Sequence, residues 1–356
     1  MFASPRVLGP TAIASVFVAT SLCGQTDRQV TKLAEGVYEI QHRDANNGVA
    51  GGNTTVIIGD RQVLVVDAPF LPSDAREDIE QIRQWTSKPV AFVLNTHFHN
   101  DHNLANRVYM DAFPALTIIA HTETKREMDL FGPGSEARLR NGTARYQRML
   151  ETGKGPTGTP LTDADKAEIK NYLATQSKVF AELDDLKFQS ATLAFDQDFS
   201  IDLGQREVQI KFLGRGNTPG DAIAYLPKEK IVVAGDLVVF PLPYFYDGYP
   251  REWSLTMRRL AALDAIAIVP GHGPVLHDKT YVNLVHDMMT SAVDQMTEAL
   301  RKTGPAMFRT VDDVKGSVDL SSFRQRFAGN DKDLGVAYDQ AAADLVKLVF
   351  REASLR

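Results

Sequence analysis

The stretch Asn95-Thr-His-Phe-His-Asn-Asp-His102 constrains this chain more than any other, because four metal-ligating side chains fall within six residues. It directly follows Pro89–Leu94, an apolar run with the length of a buried strand. The four side chains are His97, His99, Asp101 and His102. Neutral imidazole and carboxylate are the usual ligands of zinc and similar divalent ions. The pattern therefore predicts a metal site at a strand end, against the alternative of a polar loop whose histidines face solvent.

Length and charge limit the classes of protein that need to be considered. The chain has 356 residues, enough for one large domain or two. Its 44% hydrophobic and 24% charged content is ordinary for a globular protein. The net charge of −6 argues against a nucleic-acid partner, which would favour a basic face.

The N-terminus has the pattern of a secretory signal peptide. Arg6 precedes an uncharged apolar run that ends at Cys23, and polar residues follow from Gly24. We expect residues 1–24 to be removed and the protein to be periplasmic or secreted, without a stable membrane span. The alternatives are an N-terminal helix of the fold or an uncleaved anchor.

Cys23 is the only cysteine of the chain. A lipid anchor on Cys23 is the less favoured interpretation, because the bulky Leu22 stands where a small residue is required. After cleavage near Cys23 no thiol would remain, which excludes disulfides and thiolate ligands. Nitrogen and oxygen donors must then hold the metal.

From Val37 to His121 short predicted strands alternate with helical spacing, which indicates an α/β layered fold. A helix is expected over Ser73–Trp85, with Ser73 as its N-cap. The predicted strands here are Val37–Ile40, Thr54–Ile58, Gln62–Val66, Val90–Leu94 and Leu116–Ala120.

Two regions have helical rather than strand patterns. Residues of about 122–186 are charged and helical, and we interpret them as an insertion because strands resume afterwards. Residues 281–356 carry two apolar stripes at three- and four-residue spacing, which predict a C-terminal helical extension packed on a core domain of residues 25–280. Methionines in the first stripe favour a core face over a partner surface.

Three later stretches repeat the pattern of an apolar strand followed by glycine and polar residues. They are Leu213–Asp221, Val233–Leu237 and Val269–Pro274. Each is a weak signal alone, and often only a turn. In this order after the histidine cluster, they are much stronger together.

Together the four motifs resemble the metallo-β-lactamase superfamily, over about residues 37–275. The resemblance implies a four-layer αββα sandwich with metal-binding loops along one edge of its two sheets. Asp67 and His121, which end two of the predicted strands, are also similar to family features. Asp67 would either accept a ring N–H from a ligand histidine or cap a turn.

Carried over by position, the resemblance implies two metal pockets. His97 and His99 would bind a first ion. Asp101, His102 and His272 would bind a second, and Asp236 would bridge both.

Asn217 is the main departure from the family pattern, since it stands where a third histidine usually completes the first pocket. A neutral amide oxygen is a weaker zinc ligand than imidazole. We therefore expect the second pocket to bind more tightly. A single-metal enzyme, coordination by Asn217 and a hydrogen bond from Asn217 to substrate all stay open.

The expected cofactor is one or two Zn²⁺ ions, although iron and manganese accept the same donors. A metal-bound hydroxide, oriented by Asp101, would open the carbonyl of a β-lactam, lactone or related ester or amide in a small-molecule substrate. An iron-dependent redox enzyme and a non-catalytic metal-binding protein are the alternatives.

Substrate recognition is read from two further features. The aromatic stretch of residues 240–253 would either wall a pocket or belong to the core. His42–Asn53 lies where the family often has a mobile flap. No lysine follows Asp236 closely, so Arg215 and Arg251 are the candidates for binding a substrate carboxylate.

Overall fold

The computed structural model describes residues 27–44, 50–156, 158–184, 186–303 and 309–354. The expected signal peptide and Cys23 lie outside these ranges. Among the described residues, none of the helices combines the length and apolar character needed to cross a membrane.

Seven strands form the first sheet, in the order β1 to β7. They are β1 (Gln29–Ala34), β2 (Val37–Gln41), β3 (Thr54–Ile58), β4 (Val63–Val66), β5 (Val90–Leu94), β6 (Thr117–His121) and β7 (Leu193–Phe195). The first four are antiparallel neighbours, whereas β4 to β7 run parallel. The carboxyl ends of β4, β5 and β6 therefore meet at one edge of the sheet.

Five strands form the second sheet, in the order β12-β11-β10-β9-β8. They are β8 (Phe199–Asp202), β9 (Glu207–Phe212), β10 (Ala222–Leu226), β11 (Ile231–Val239) and β12 (Ala267–His272). The β11–β12 pair is parallel, so these two strands also end at the same edge.

Helices cover the outer faces of both sheets. They are α1 (Pro72–Trp85), α2 (Asn106–Ala112), α3 (Thr122–Phe131), α4 (Ser135–Thr152), α5 (Asp163–Leu183), α6 (Pro250–Ala262), α7 (Thr280–Thr303), α8 (Ser321–Ala328) and α9 (Lys332–Ser354). The residues expected to form an insertion fold as α3, α4 and α5. Helix α5 begins with a reciprocal capping box between Thr162 and Asp165.

Three apolar layers separate the four layers of secondary structure. Ile57 and Leu94 of the first sheet meet Ile210 and Val233 of the second in the central layer. The outer face of the first sheet packs on α1 and α2, and that of the second sheet packs on α6, α7 and α9. The predicted αββα sandwich with a helical C-terminal region is confirmed.

Both predicted C-terminal stripes are largely buried. Met288, Met289 and Met296 of α7 are at most 1% exposed, and Leu345 and Leu348 of α9 are buried with them. The methionines of α7 are therefore core residues, as the sequence favoured.

Three local predictions were wrong. Helix α1 begins at Pro72 after an N-cap at Leu71, so Ser73 does not cap it; proline is preorganised for the first helical position. Asp236 lies within β11, because this strand continues after Gly235 and Asp236 through Leu237–Val239. His272 lies at the end of β12, which continues beyond Val269.

Candidate metal centre

The predicted ligands converge where strands of the two sheets end. The chain leaves β5 at Leu94, and the loop that follows carries His97 and His99. A single 3₁₀ turn, Asn100–His102, then turns His102 inward. The side chains of His97 and His102 are fully buried, and that of Asp101 is 21% exposed.

The second sheet supplies Asp236 from β11 and His272 from β12. Gly271 permits their close approach, because a Cβ at that position would lie 2.0 Å from Asp236 Oδ1. The ligand-type atoms fall into two groups, each within 4.8 Å: His97, His99 and Asp236 in the first pocket, and Asp101, His102 and His272 in the second.

The spacing of the donor atoms within the two pockets fits metal coordination. Four ligands at zinc–nitrogen distance around a tetrahedral ion lie about 3.3 Å from one another. His97 Nε2 and His99 Nδ1 are 3.0 Å apart, and His102 Nε2 and His272 Nε2 are 3.2 Å apart. Asp101 Oδ2 lies 3.1 Å from His272 Nε2.

Asp236 lies between the two pockets. Its Oδ2 is 3.7 Å from His97 Nε2, and its Oδ1 is 3.3 Å from His102 Nε2 and 3.5 Å from His272 Nε2. Asp236 Oδ1 is buried without a hydrogen-bond partner among the described residues. A buried carboxylate oxygen without a donor is costly unless a cation compensates it, so the donor set fits one or two divalent ions.

Asp67, at the end of β4, fixes the orientation of two of the imidazoles. Its Oδ2 accepts the Nδ1–H of His102 at 2.9 Å, which leaves His102 Nε2 facing the pocket. The Thr96 hydroxyl donates to the same oxygen at 2.7 Å and therefore accepts from His97 Nδ1 at 3.0 Å. Of the two roles expected for Asp67, the geometry supports the acceptor of a ring N–H.

The pKa values of the imidazoles and carboxyl groups follow from this packing. Burial lowers the pKa of His97 and of His99, so both imidazoles are neutral. For His102, burial opposes protonation, but Asp236, Asp101 and Asp67 outweigh it and raise the pKa. The pKa of Asp101 is lowered despite burial, because His102 and His272 surround it.

Asn217 is also buried, at 3% exposed, in the loop between β9 and β10. Its Nδ2 has no hydrogen-bond partner within the described part of the chain. His121 stays apart from the ligand groups: it stacks on Phe212 with ring centroids 4.1 Å apart and caps α3 by accepting from Glu123 N.

The aromatic stretch after Asp236 divides between core and site. Phe245 and Trp253 are buried and pack edge to face. Tyr244 instead meets the ring of His272 edge to face, with centroids 5.4 Å apart, and stacks on the exposed Tyr246. Phe245 and Trp253 therefore belong to the core, whereas Tyr244 lies beside a proposed metal ligand.

The two arginines that were candidates for a substrate carboxylate have other partners. Arg215 donates from Nε to Glu252 at 2.8 Å and lies over the Tyr249 ring at 4.1 Å. Arg251 donates to Thr297 on α7 at 3.3 Å.

Both ends of His42–Asn53, the stretch in which a flap is expected, are buried. His42 is 1% exposed, with Nε2 lying 3.2 Å from Asp78 of α1, and Asn53 is 4% exposed. Residues 45–49 lie outside the described residues. Sequence reasoning missed these contacts because Gly-Gly-Asn before a strand is no more than a turn signal.

Comparison with known proteins agrees with the fold. The family description Metallo-beta-lactamase superfamily matches residues 47–272, and the chain belongs to this superfamily. It is 19% identical over 237 residues to Metallo-beta-lactamase type 2 of Elizabethkingia meningoseptica, covering 65% of this chain and 72% of that protein. It is 20% identical over 249 residues to the linear primary-alkylsulfatase of a Pseudomonas strain, covering 65% of this chain and 43% of that protein.

Solved structures show the same fold at low identity. The metallo-beta-lactamase from Pontibacter korlensis superposes with a TM-score of 0.52 at 18% identity, over 74% of this chain and 99% of that one. The mono-zinc form of the metallo-beta-lactamase FIM-1 from Pseudomonas aeruginosa gives 0.52 at 15% identity, over 76% and 97%. Superfamily membership supports metal binding and points to metal-dependent hydrolysis, whereas the particular reaction lies beyond it.

Proposed function

We propose that the protein is a zinc-dependent hydrolase that opens the carbonyl of a neutral lactone or ester. The observation that carries the proposal is the convergence of six nitrogen and oxygen ligands on one strand edge, with Asp236 directed at both groups. The ligands are His97, His99, Asp101, His102, Asp236 and His272. A divalent ion held there would lower the pKa of a bound water and polarise a substrate carbonyl.

Asp101 is the proposed catalytic residue because it is the most accessible member of the second pocket. A carboxyl group beside a divalent ion is ionised near neutral pH, because the positive charge favours its carboxylate form. In that form Asp101 can accept a hydrogen bond from the attacking water and orient its lone pair. Direct attack by water suits this site, since the described cluster supplies imidazoles and carboxylates but neither a serine nor a thiol.

The substrate is proposed to lack a carboxylate. Arg215 and Arg251, the two cations expected to bind one, are held by Glu252 and Thr297. The ring of Tyr244 lies beside His272, and the ring of Tyr246 stacks on that of Tyr244. These rings favour an aromatic or apolar group next to the scissile carbonyl. A β-lactam, which carries an anionic group, fits this lining less well than a lactone or an aryl ester.

A hydrolysis panel on the purified, zinc-loaded protein tests the proposal, with His102→Ala as the control. We expect aryl esters or lactones to be turned over with kcat/KM at least about tenfold above that of β-lactams, which corresponds to about 1.4 kcal/mol. Preference for β-lactams would overturn the substrate assignment. A fully metal-loaded protein without turnover on the whole panel would instead favour a non-catalytic role, and iron with no turnover a redox role.

Export is proposed on the sequence pattern of residues 1–24, with Arg6 before the apolar run. N-terminal sequencing of the protein recovered from a periplasmic fraction tests it. A new N-terminus near Gly24 is the expected result, and an intact Met1 on cytoplasmic protein would contradict it.

A further inference from the structure

The segment Gly51–Asn53 lies between the two loops that carry the proposed second-pocket ligands. On one side, the Gly51 carbonyl accepts from His272 Nδ1 at 3.2 Å. On the other, a Cβ at Gly52 would lie 2.5 Å from Asp101 O and 2.8 Å from His102 Cε1. Only glycine permits this approach. Through Gly51 and Gly52 the segment touches all three ligands of the pocket, which are His272, Asp101 and His102.

Asn53 binds the backbone on both sides of His272. Its N–H donates to Gly271 O at 2.7 Å. Its side-chain Nδ2 donates to Pro270 O at 3.0 Å and to Gly273 O at 2.7 Å. Asn53, which directly precedes β3 of the first sheet, thus donates hydrogen bonds to three carbonyl oxygens within residues 270–273 of the second sheet's edge.

The chemistry of these contacts requires an amide. The Asn53 NH₂ group supplies two donors in one plane, and both are used on carbonyl acceptors. An aspartate of the same shape would supply no donor and would place a negative charge against two carbonyl oxygens. A buried carbonyl oxygen that loses its hydrogen-bond donor destabilises the folded state, so residues 270–273 would shift to regain hydrogen-bond donors.

We propose that Asn53 is a positioning residue for the second metal pocket. It holds residues 270–273, where β12 ends, so that Gly51 O can accept the Nδ1–H of His272, which leaves His272 Nε2 directed at Asp101 and Asp236. This inference rests on the proposed ligand set. Groups that orient a metal ligand from behind it typically contribute about 10- to 100-fold to metal affinity.

The competing explanation is that Asn53 merely ties the two sheets together. A tie of that kind would affect the stability of the fold, and through it both pockets alike. A positioning residue affects the second pocket selectively, because the contacts of Asn53 surround His272 and not His97 or His99. Selectivity between the pockets therefore separates the two explanations.

Gln295 provides a matched control in the C-terminal helices. Its side-chain amide also clamps backbone, with Nε2 donating to Asp319 O at 2.9 Å and Oε1 accepting from Asp319 N at 2.8 Å. Gln295→Glu makes the same amide-to-carboxylate change as Asn53→Asp, but far from the metal centre.

The experiment measures stepwise binding of zinc, and of cobalt as a spectroscopic probe, to the full chain by competition with a chelator. Asn53→Asp should weaken binding at the second pocket at least tenfold and alter its cobalt absorption, while the first pocket changes less than twofold. Gln295→Glu should leave both affinities and the spectrum unchanged. Equal losses at both pockets, or an unchanged second pocket in Asn53→Asp, would overturn the inference.

Two further variants keep the test decisive. If Asn53→Asp does not fold, Asn53→Ser retains one donor and Gly52→Ala leaves Asn53 intact while crowding His102; each should weaken the second pocket selectively, and two unchanged affinities would contradict the inference. His272→Ala monitors the underlying ligand set. If His272→Ala binds as many ions as the unmodified chain, the proposed function fails; if it loses one ion while Asn53→Asp loses none, only the role of Asn53 fails.

Discussion

The two pockets of the metal centre differ in their ligands and in the groups that orient those ligands. The second pocket has the imidazoles of His102 and His272, the carboxylate of Asp101 and a share in Asp236, and its histidines are oriented by Asp67 and by Gly51 O. The first pocket has His97 and His99 and the other oxygen of Asp236. The resemblance to the superfamily implies a histidine at position 217 as a third ligand of this pocket, and this chain has asparagine there.

The number of ligands alone does not describe the two pockets, because the groups that orient the ligands also differ. His97 is oriented through the Thr96 hydroxyl, a neutral relay, whereas His102 donates directly to the Asp67 carboxylate. Charge-assisted hydrogen bonds are roughly twice as strong as neutral ones. The second pocket therefore combines more ligands with firmer support, and we infer that it binds the more tightly held ion.

The largest expected effect comes from removing one imidazole from each pocket in turn. His102→Ala should lower kcat/KM about 1000-fold, which is about 4 kcal/mol of transition-state stabilisation. His97→Ala should lower it by about tenfold less, because the second pocket stays intact. Steady-state kinetics on the preferred substrate in excess zinc measures both, and a larger loss in His97→Ala would reverse the comparison.

Removing the groups that orient the imidazoles should have the next largest effect. Asp67→Asn removes the charged acceptor of His102 and should weaken the second ion by about 10- to 100-fold. Thr96→Val removes only the hydroxyl that accepts from His97, so it should weaken the first ion alone, by a smaller factor. Chelator competition on the two variants distinguishes them, and losses confined to the first pocket in Asp67→Asn would be incompatible with this arrangement.

Asn217→His should make the two pockets more alike. An added imidazole should raise first-pocket zinc affinity by about tenfold, since imidazole is a better zinc ligand than an amide. Mass-spectrometric metal content and stepwise titration measure the gain. No gain would exclude the weak-ligand interpretation and leave a hydrogen bond to substrate as the role of Asn217.

The smallest effect on the metal centre is expected for Glu39, a buried carboxyl group that does not belong to either ligand group. Glu39 of β2 is 1% exposed, and burial raises its pKa to about 7 from an ordinary value of 4.5. Between these values the folded state binds a proton that the unfolded chain has lost, so the stability associated with Glu39 falls as pH rises from 4.5 to about 7.

Glu39→Gln removes this loss. At pH 8 the variant should exceed the unmodified chain in unfolding free energy by about 3 kcal/mol, and at pH 4 the difference should vanish. Urea unfolding of metal-free protein at the two pH values provides the measurement, with metal affinity unchanged. A pH-independent difference would mean that Glu39 does not titrate as described.

Much of the architecture could be predicted because its signals are local. The run Val90–Leu94 followed by three histidines specifies a strand and its terminal loop, and the stripe of Met288, Met289 and Met296 specifies a buried helix face. The capping residues Thr162 and Asp165 place the start of α5. Each of these patterns is contained within a few turns of chain, so sequence spacing is enough to interpret it.

Most of the contacts that support the centre could not be predicted because they join distant residues. Asn53 meets Gly273 across 220 positions. The contact of Asp67 with a ligand histidine was one of the two roles that the resemblance implied, and the structure shows that the histidine is His102. The lengths of β11 and β12 were also underestimated, since the two strands pair with each other beyond Val233, through Gly235 with Pro270 and Val239 with His272. Long-range hydrogen bonding leaves no periodic trace in a single sequence.

The inequality of the two pockets is tested most directly by stepwise zinc titration of the unmodified chain against a competing chelator, with His97→Ala and His272→Ala assigning the steps. We predict two binding steps that differ at least tenfold in affinity, with the tighter step abolished by His272→Ala and kept in His97→Ala. Two equal steps, or a tighter step that disappears in His97→Ala, would contradict the account.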